Sequence, residues 1–453
     1  MALHPSRNRT NDMSLPIRAF RSIVLALAML PTAATVGQSP AADLDAIRTE
    51  YRSLAEYIRK RQSVGEEERK AAETLAGRLL ASLDAGGNDP ALLAMAVQLA
   101  TWSGSEATID AAYAKILAAR PDNDVALSQW LTSLTGRGDG ERAVAEASAR
   151  VSDLIRMPRT AMSVAEAYIA LNRFDDAEAL LESLGPAAMA REVATRNKPM
   201  RIRLPELQQR WAREQGARAR DDARGDNPTA VLTTAQGPIT IELFEEQAPA
   251  TVAAFIEFVE GGQYDQSRFH DFVPGVGLYG GDPNTKAGAT GRPGTGTAGF
   301  RIPDECKRDD RRDAFSGSIV MLKTPDPARA NRFQENSASC SFAILVSPGE
   351  QLSDEFTVVG RVLDGQELLA SLRAGDDLLA ARVLRKRPRE YRAVRMPELP
   401  ATGPFGLATR AVASSTGDVS RLNAPINGGT GDPGGGVKGP AAPTAPTAPS
   451  TKP

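Results

Sequence analysis

Apolar residues recur three and four positions apart from about Asp43 to Leu184, alanine is frequent, and β-branched runs are few. That pattern predicts successive amphipathic helices. Inside the stretch, Ile109, Ala143 and Ala177 fall about 34 residues apart, and Pro90, Asp124 and Pro158 keep the same step where each helix pair should begin. After Thr229 the period changes. Val231–Thr233 and Ile239–Phe244 bracket Gly237-Pro238 and predict a hairpin. Pro249 should open a helix with Val252, Phe255, Ile256 and Val259 on one face and Gly261 as its stop. Strand-like runs follow at Phe269–Val273, Gly317–Lys323, Ser339–Val346 and Phe356–Val362. Asp364 is placed to cap a short helix through Leu372, and Tyr391–Val394 is expected to close the sheet.

Between the two regions, residues 186–228 form a basic connector. Arg201, Arg203, Arg210, Arg213, Arg218, Arg220 and Arg224 crowd a helical stretch around Leu207–Trp211. A solvated linker helix accounts for this row; the other use, binding an acidic surface, has no clustered aromatics to support it. Residues 1–35 carry Arg7, Arg9, Arg18 and Arg21, then the apolar run Ile23–Leu30 and the small residues Thr32-Ala33-Ala34. This is the layout of a signal peptide, so the chain is expected to be exported, to a periplasm or outside the cell. The run falls short of the ~20 residues that span a bilayer, so no stable membrane span is expected. An unremoved N-terminal anchor is the alternative, and Met13 is an alternative start. Residues 400–453 are Gly, Pro, Ala and Thr with almost no large apolar side chain, which predicts a disordered tail.

Composition narrows the chemistry. With 453 residues the chain can hold more than one core, and its net charge of −2 gives no basic field for nucleic acid. The only histidines are His4 and His270, which excludes a multi-histidine metal site. Cys306 and Cys340 have no metal-ligand spacing and fit either one disulfide or none. Gly294 and Gly296 make a G-x-G pattern with neither a strand before it nor a helix after it, so no nucleotide, metal or other cofactor is expected.

The stretch Phe269–Asp282, FHDFVPGVGLYGGD, places a Pro274-Gly275 turn between two extended runs. It resembles the signature of cyclophilin-type peptidyl-prolyl isomerases, in which FHR is followed by a PGF turn and a GGD ending. Phe269, His270, Pro274, Gly275, Gly280, Gly281 and Asp282 match. The order of elements through Thr229–Arg395 is also similar, as is the opening LTTAQGPITIELFEEQAPATVAAFIEFVEGGQYD. The resemblance implies a closed β-barrel with two capping helices over 229–395, acting on X-Pro bonds of proline-containing polypeptides. The helical region 41–185 resembles the tetratricopeptide repeat, most clearly in TAMSVAEAYIALNRFDDAEALLESLG, where Tyr168, Phe174 and Ala177 take the repeat's large, aromatic and small positions. A plain helical bundle with accidental spacing is the alternative. One helix pair cannot bury its apolar face alone, so repeats stack, and the concave surface they form is the candidate site for a protein partner.

The expected chemistry is demanding but not covalent. Rotating an X-Pro bond crosses a barrier of ~20 kcal/mol because the amide is partly double bonded. A catalyst must hold the chain, shelter the proline ring and aim a donor at the twisted amide nitrogen. In cyclophilins an arginine after the FH pair is that donor; here the position is Asp271, an acceptor-only anion at neutral pH. By the same resemblance, the family's Phe-Met after the turn is Val276-Gly277, and its glutamine before the Gly-Gly is Tyr279. Its asparagine is Lys323, beside Leu322. In the strand matching GSQFF, the glutamine becomes Ser341, Phe342 is kept, and the phenylalanine under the ring becomes Ala343. Tryptophan, leucine and histidine of the far wall correspond to Gln351, Leu352 and Phe356. Lys323 is expected to pair with Asp271, while Arg268 should point to the opposite face of the strand. Phe342, Phe255, Val273 and Val358 read as core, and His270 as a hydrogen-bonded strand histidine beside the groove. Three functions follow: an exported isomerase with a degenerate site, an inactive peptide-binding module joined to a helical-repeat interaction domain, or a scaffold in which neither groove binds.

Overall fold

The computed structural model of the chain describes residues 40–61, 63–84, 89–185, 191–329 and 332–398. The expected signal peptide and the expected tail lie outside the described residues. The chain begins with helices α1 (Pro40–Arg61), α2 (Glu66–Asp84), α3 (Pro90–Ser103) and α4 (Glu106–Ala119). It continues with α5 (Asp124–Gly136), α6 (Gly140–Arg150), α7 (Pro158–Ala170) and α8 (Phe174–Ser183). Three of these helices start at Pro90, Asp124 and Pro158, the positions whose spacing marked them. Local chemistry explains the starts. Asp89 accepts from the Ala91 N–H ahead of Pro90, and Asn123 accepts from the Ala126 N–H. Met157 offers no such cap to α7, and the Asp124 carboxylate supplies it from one helix pair away. It accepts from Arg159 N at 3.0 Å and Thr160 N at 2.7 Å.

Helix α9 (Arg191–Arg224) corrects the expectation of a solvated linker. Met200, Leu204 and Leu207 pack with Phe174, Ala177 and Leu181 of α8, and with Phe315 from the other half of the chain. Arg196 reaches Glu166 and the hydroxyls of Ser128 and Ser163, tying the start of α9 to α5 and α7. Further along, Glu214 and Asp221 are fully buried against Arg312, at 2.8 and 2.5 Å, with all three side chains 2% exposed. Within the arginine row, Arg203 pairs with Glu350, and Arg210 and Arg213 with Asp313, both acids of the other half of the chain.

The second half is a curled antiparallel sheet with one long helix, α10 (Pro249–Glu260), against its inner face. Its strands are β1 (Thr229–Thr234), β2 (Pro238–Leu243), β3 (Ser267–Arg268), β4 (Asp271–Val273) and β5 (Gly277–Gly280). β6 (Ser318–Met321), β7 (Phe342–Leu345), β8 (Val358–Asp364) and β9 (Asp377–Arg385) complete it. The strand order is β3-β9-β1-β2-β8-β6-β7-β5-β4. The two terminal strands, β3 and β4, are joined in the chain by Phe269 and His270, whose amides bond to Asp376 O and Tyr279 O.

Two boundaries differ from expectation. β9 pairs with β1 where Tyr391–Val394 was expected, because its sequence DLLAARVLR alternates too irregularly to read as a strand. Tyr391 is instead buried as a side chain, donating from its hydroxyl to Glu245 at 3.0 Å. Asp364 ends β8 rather than capping a helix; the turn Gln366–Ala370 that follows is entered through Gly365 at φ 84°, a left-handed conformation suited to glycine.

Candidate active site

The hairpin β4–β5 carries the residues at issue. Asp271 lies directly opposite Tyr279, and Gly275, at φ 73°, makes the turn behind Pro274. Gly277 has no alternative, since a Cβ there would sit 2.3 Å from the Ile344 carbonyl oxygen. Tyr279 pairs in turn with Ala343 of β7, and Ala343 with Val320 of β6. On this outer face of the sheet, the space freed by a small side chain at 343 is occupied from the next strand.

Tyr279, Val320, Leu322, Ala343, Leu345, Leu352 and Phe356 surround what space is left, about 180 Å³ including its open mouth. Ordinary ligand pockets run ~300–1,000 Å³. Phe333 closes the group from the loop after β6, its ring edge-on to Phe356 at 4.5 Å. Val276, Tyr279, Phe333, Ala343, Leu352 and Phe356 are each at most 5% exposed, so this is packed core rather than cleft. Nothing in the sequence marked Phe333, a single aromatic in a Pro- and Arg-rich loop.

Three polar groups lie near one another at the hairpin: the His270 and Tyr279 rings are 6.2 Å apart, edge-on, and the charge of Asp271 acts on both. The Tyr279 hydroxyl is buried with no hydrogen-bond partner among the described residues, and burial, with the charge of Asp271, raises its pKa. Asp271 accepts from the Phe272 N–H at 2.8 Å and makes no ion pair among the described residues. Lys323 does not reach it, which corrects the expected pair. Its ammonium binds Asp304 at 2.5 Å, a carboxylate fixed close by through the Asn336 N–H, and both side chains are nearly buried. Arg268 faces away from the hairpin and pairs with Asp377 at 2.9 Å on the surface.

His270 is half-buried, its amide held by Tyr279 O at 2.9 Å, and its Nδ1 has no partner among the described residues. Burial lowers the imidazole pKa, against the opposing pull of Asp282 and Asp271, so the ring stays neutral. Of the remaining positions, Gln351 is exposed on a turn, and Ser341 accepts through its backbone oxygen from the Leu322 N–H. Phe342 points to the inner core, 5.4 Å from Tyr264 and 5.9 Å from Phe255. Cys306 and Cys340 are buried and form no disulfide, with the Cys340 thiol pushed up to about 12 by burial and the nearby Asp282.

The helical half touches this hairpin directly. The Gly275 N–H donates to Gly136 O, at the end of α5, at 2.8 Å. Arg373 stacks over Phe272 at 4.6 Å and is ion-paired with Glu106 at the start of α4.

Comparison with known proteins places this half of the chain. Residues 229–390 match the family described as cyclophilin type peptidyl-prolyl cis-trans isomerase/CLD. A peptidyl-prolyl cis-trans isomerase of Synechococcus elongatus is 32% identical over 157 residues, covering 34% of this chain and 95% of that protein. The peptidyl-prolyl cis-trans isomerase ppi1 of Schizosaccharomyces pombe is 33% identical over 134 residues, 30% of this chain and 77% of its own length. A solved Cryptosporidium parvum cyclophilin type isomerase, in the presence of the dipeptide ala-pro, aligns with a TM-score of 0.30 and 22% identity over 34% of this chain and 98% of that one. Through its β half, the chain belongs to the cyclophilin-type peptidyl-prolyl cis-trans isomerase family.

Proposed function

We propose that this protein is an exported cyclophilin-type family member whose isomerase chemistry is strongly weakened, and that its β half serves as a rigid module joined to a tetratricopeptide-like region that binds a protein partner. One observation carries the reading. The place where a proline ring would sit is filled by Tyr279, Phe333 and Phe356, all at most 5% exposed. A proline side chain could enter only by displacing packed aromatic groups, and interiors at this density give way at a cost of ~1–3 kcal/mol or more.

The electrostatics point the same way. Twisting the X-Pro amide localises a lone pair on nitrogen, and a hydrogen-bond donor aimed there lowers the barrier. Asp271, at the position of the family's arginine, can only accept when ionised. Losing one preorganised donor of this kind costs ~10²–10³ in rate. Neutral His270 and buried Tyr279 do not replace it, since the imidazole carries no positive charge and the phenol is shut into the packed core.

The helix starts at Pro90, Asp124 and Pro158 support stacked repeats on a constant step, and β3 and β4, joined through His270, support a sheet curled into a closed barrel. Export rests on the basic flank and the short apolar run before Thr32.

The deciding experiment measures catalysed cis-trans exchange of an X-Pro tetrapeptide with the full chain beside the Synechococcus relative. We expect at least a hundredfold lower kcat/KM. Rates within a few-fold of the relative would overturn this reading and restore a working isomerase.

A further inference from the structure

The geometry points to the helical half as a clamp that holds the β4–β5 hairpin, and so the outer pocket, in its closed form; a partner that shifts the tips of α4–α6 would therefore regulate that pocket. Three contacts carry the inference. The first is backbone to backbone. Gly136 O accepts from Gly275 N at 2.8 Å, at the turn that places Val276 in the pocket. Second, Gly138, at φ 86°, lies so close to Val346 that a Cβ would stand 3.0 Å from Cγ1. Val346 is not a remote neighbour, because its own N–H bonds to Val276 O at 2.9 Å. Third, Glu106 holds Arg373, whose guanidinium lies on the ring of Phe272, the residue after Asp271. The hairpin is thus held at the middle of β4 and at its turn by residues from the start of α4, the end of α5 and the turn that follows.

β4 is short, three residues at the end of the hydrogen-bonded order, and all three are only partly buried. An element with so few bonds of its own owes its position to what leans on it. The ion network of Glu106, Asp110 and Arg137 behind the contact links it to α5, since Arg137 binds Asp110 at 2.8 Å and Glu106 at 3.5 Å. A change in how α4 and α5 lie against each other would be transmitted to Phe272 and Gly275 together. By linkage, whatever binds the released hairpin must also favour the shifted helices. The inference takes from the proposed function only that the pocket behind Val276 is the site.

The test is amide hydrogen exchange by mass spectrometry on the full chain, comparing wild type with Gly138→Leu and with Glu106→Gln. We expect exchange over residues 271–279 to quicken at least tenfold in Gly138→Leu and about threefold in Glu106→Gln, with exchange in α10 unchanged. If Gly138→Leu loses its helical circular dichroism, Glu106→Gln decides alone, because it removes one charge from a partly exposed residue. Unchanged exchange over 271–279 in a folded variant would overturn the clamp. An active wild-type isomerase would sink the proposed function but leave this comparison standing, so the two failures are distinguishable.

Discussion

β7 shows two histories on its two sides. Phe342 faces inward and packs with Phe255 and Tyr264 as the sequence pattern requires. Its neighbour Ala343 faces outward, where the family's chemistry would lie, and meets Tyr279 and Phe356. The inner face keeps the residues that make the sheet and α10 one core. The outer face carries Tyr279, Ala343 and Phe356 instead, and it is just as buried. This face is not an apolar hollow open to water: Tyr279, Phe333 and Phe356 pack it, and α9 is joined to the same half nearby through Phe315 and Arg312. The difference between the faces separates what the fold needs from what the reaction needs.

The largest effect should come from breaking the joint between α9 and the β half. Arg312 lies over the Phe244 ring at 3.7 Å and neutralises Glu214 and Asp221. Burial alone would raise the Glu214 carboxyl, but the hydrogen bonds and charge of Arg312, with Arg218, hold it below its ordinary range. Arg312→Ala takes away the cation the two buried acids share and leaves Glu214 with Arg218 and Asp221 with Arg224 alone, which should cost up to about 3 kcal/mol in urea unfolding. A loss under about 1 kcal/mol would mean that α9 is the solvated linker its arginine content suggested.

One substitution made on each face should give opposite signs. Tyr264 donates to Cys340 O at 3.0 Å inside the inner core, so Tyr264→Phe orphans a buried carbonyl and should destabilise by about 1–2 kcal/mol. The Tyr279 hydroxyl has no partner among the described residues, so Tyr279→Phe removes an unsatisfied polar atom and should be neutral or stabilising by about 1 kcal/mol. Thermal unfolding of the two variants settles it, and equal losses would mean that Tyr279 donates a hydrogen bond that matters.

The smallest effect is a pH dependence at His270. Burial puts its folded pKa below the unfolded value of 6.5. The unfolded chain therefore takes up the proton first, and the stability present above about pH 6.5 declines as the pH falls through that value toward the folded pKa. Asp271→Asn removes one of the charges that hold the folded pKa up, so the decline between pH 7 and 5.5 should steepen. A shallower slope in the variant would place Asp271 out of electrostatic reach of the ring.

The legibility of this molecule in its sequence follows the same division. Helix starts at Pro90, Asp124 and Pro158, the hairpin at Gly237-Pro238 and the Pro249 helix were all readable, because each depends on a few neighbouring residues. That Asp271 and Ala343 are positions worth examining was readable as well, since they stand within a motif of fixed spacing. What stayed hidden depends on residues far apart in the chain. Phe333 enters the pocket from a loop with no apolar period, and Tyr279 matters because Ala343 left room. Lys323 chose Asp304, brought next to it only by the fold. The arginines of α9 looked like a solvated face, since their partners Asp313 and Glu350 lie 100 and 147 residues away along the chain. β9, with Leu and Arg in irregular alternation, carries a strand only because β1 offers it an edge.

The central claim is that the outer pocket is closed to proline, and occupancy tests it most directly. The measurement is titration of the full chain with an X-Pro tetrapeptide, followed by side-chain chemical shifts of Ala343, Val276 and Leu352. The account predicts no saturable shift at these three residues up to millimolar peptide, whatever happens on the helical half. Saturable shifts at all three, with Tyr279 turning out of the pocket, would contradict it.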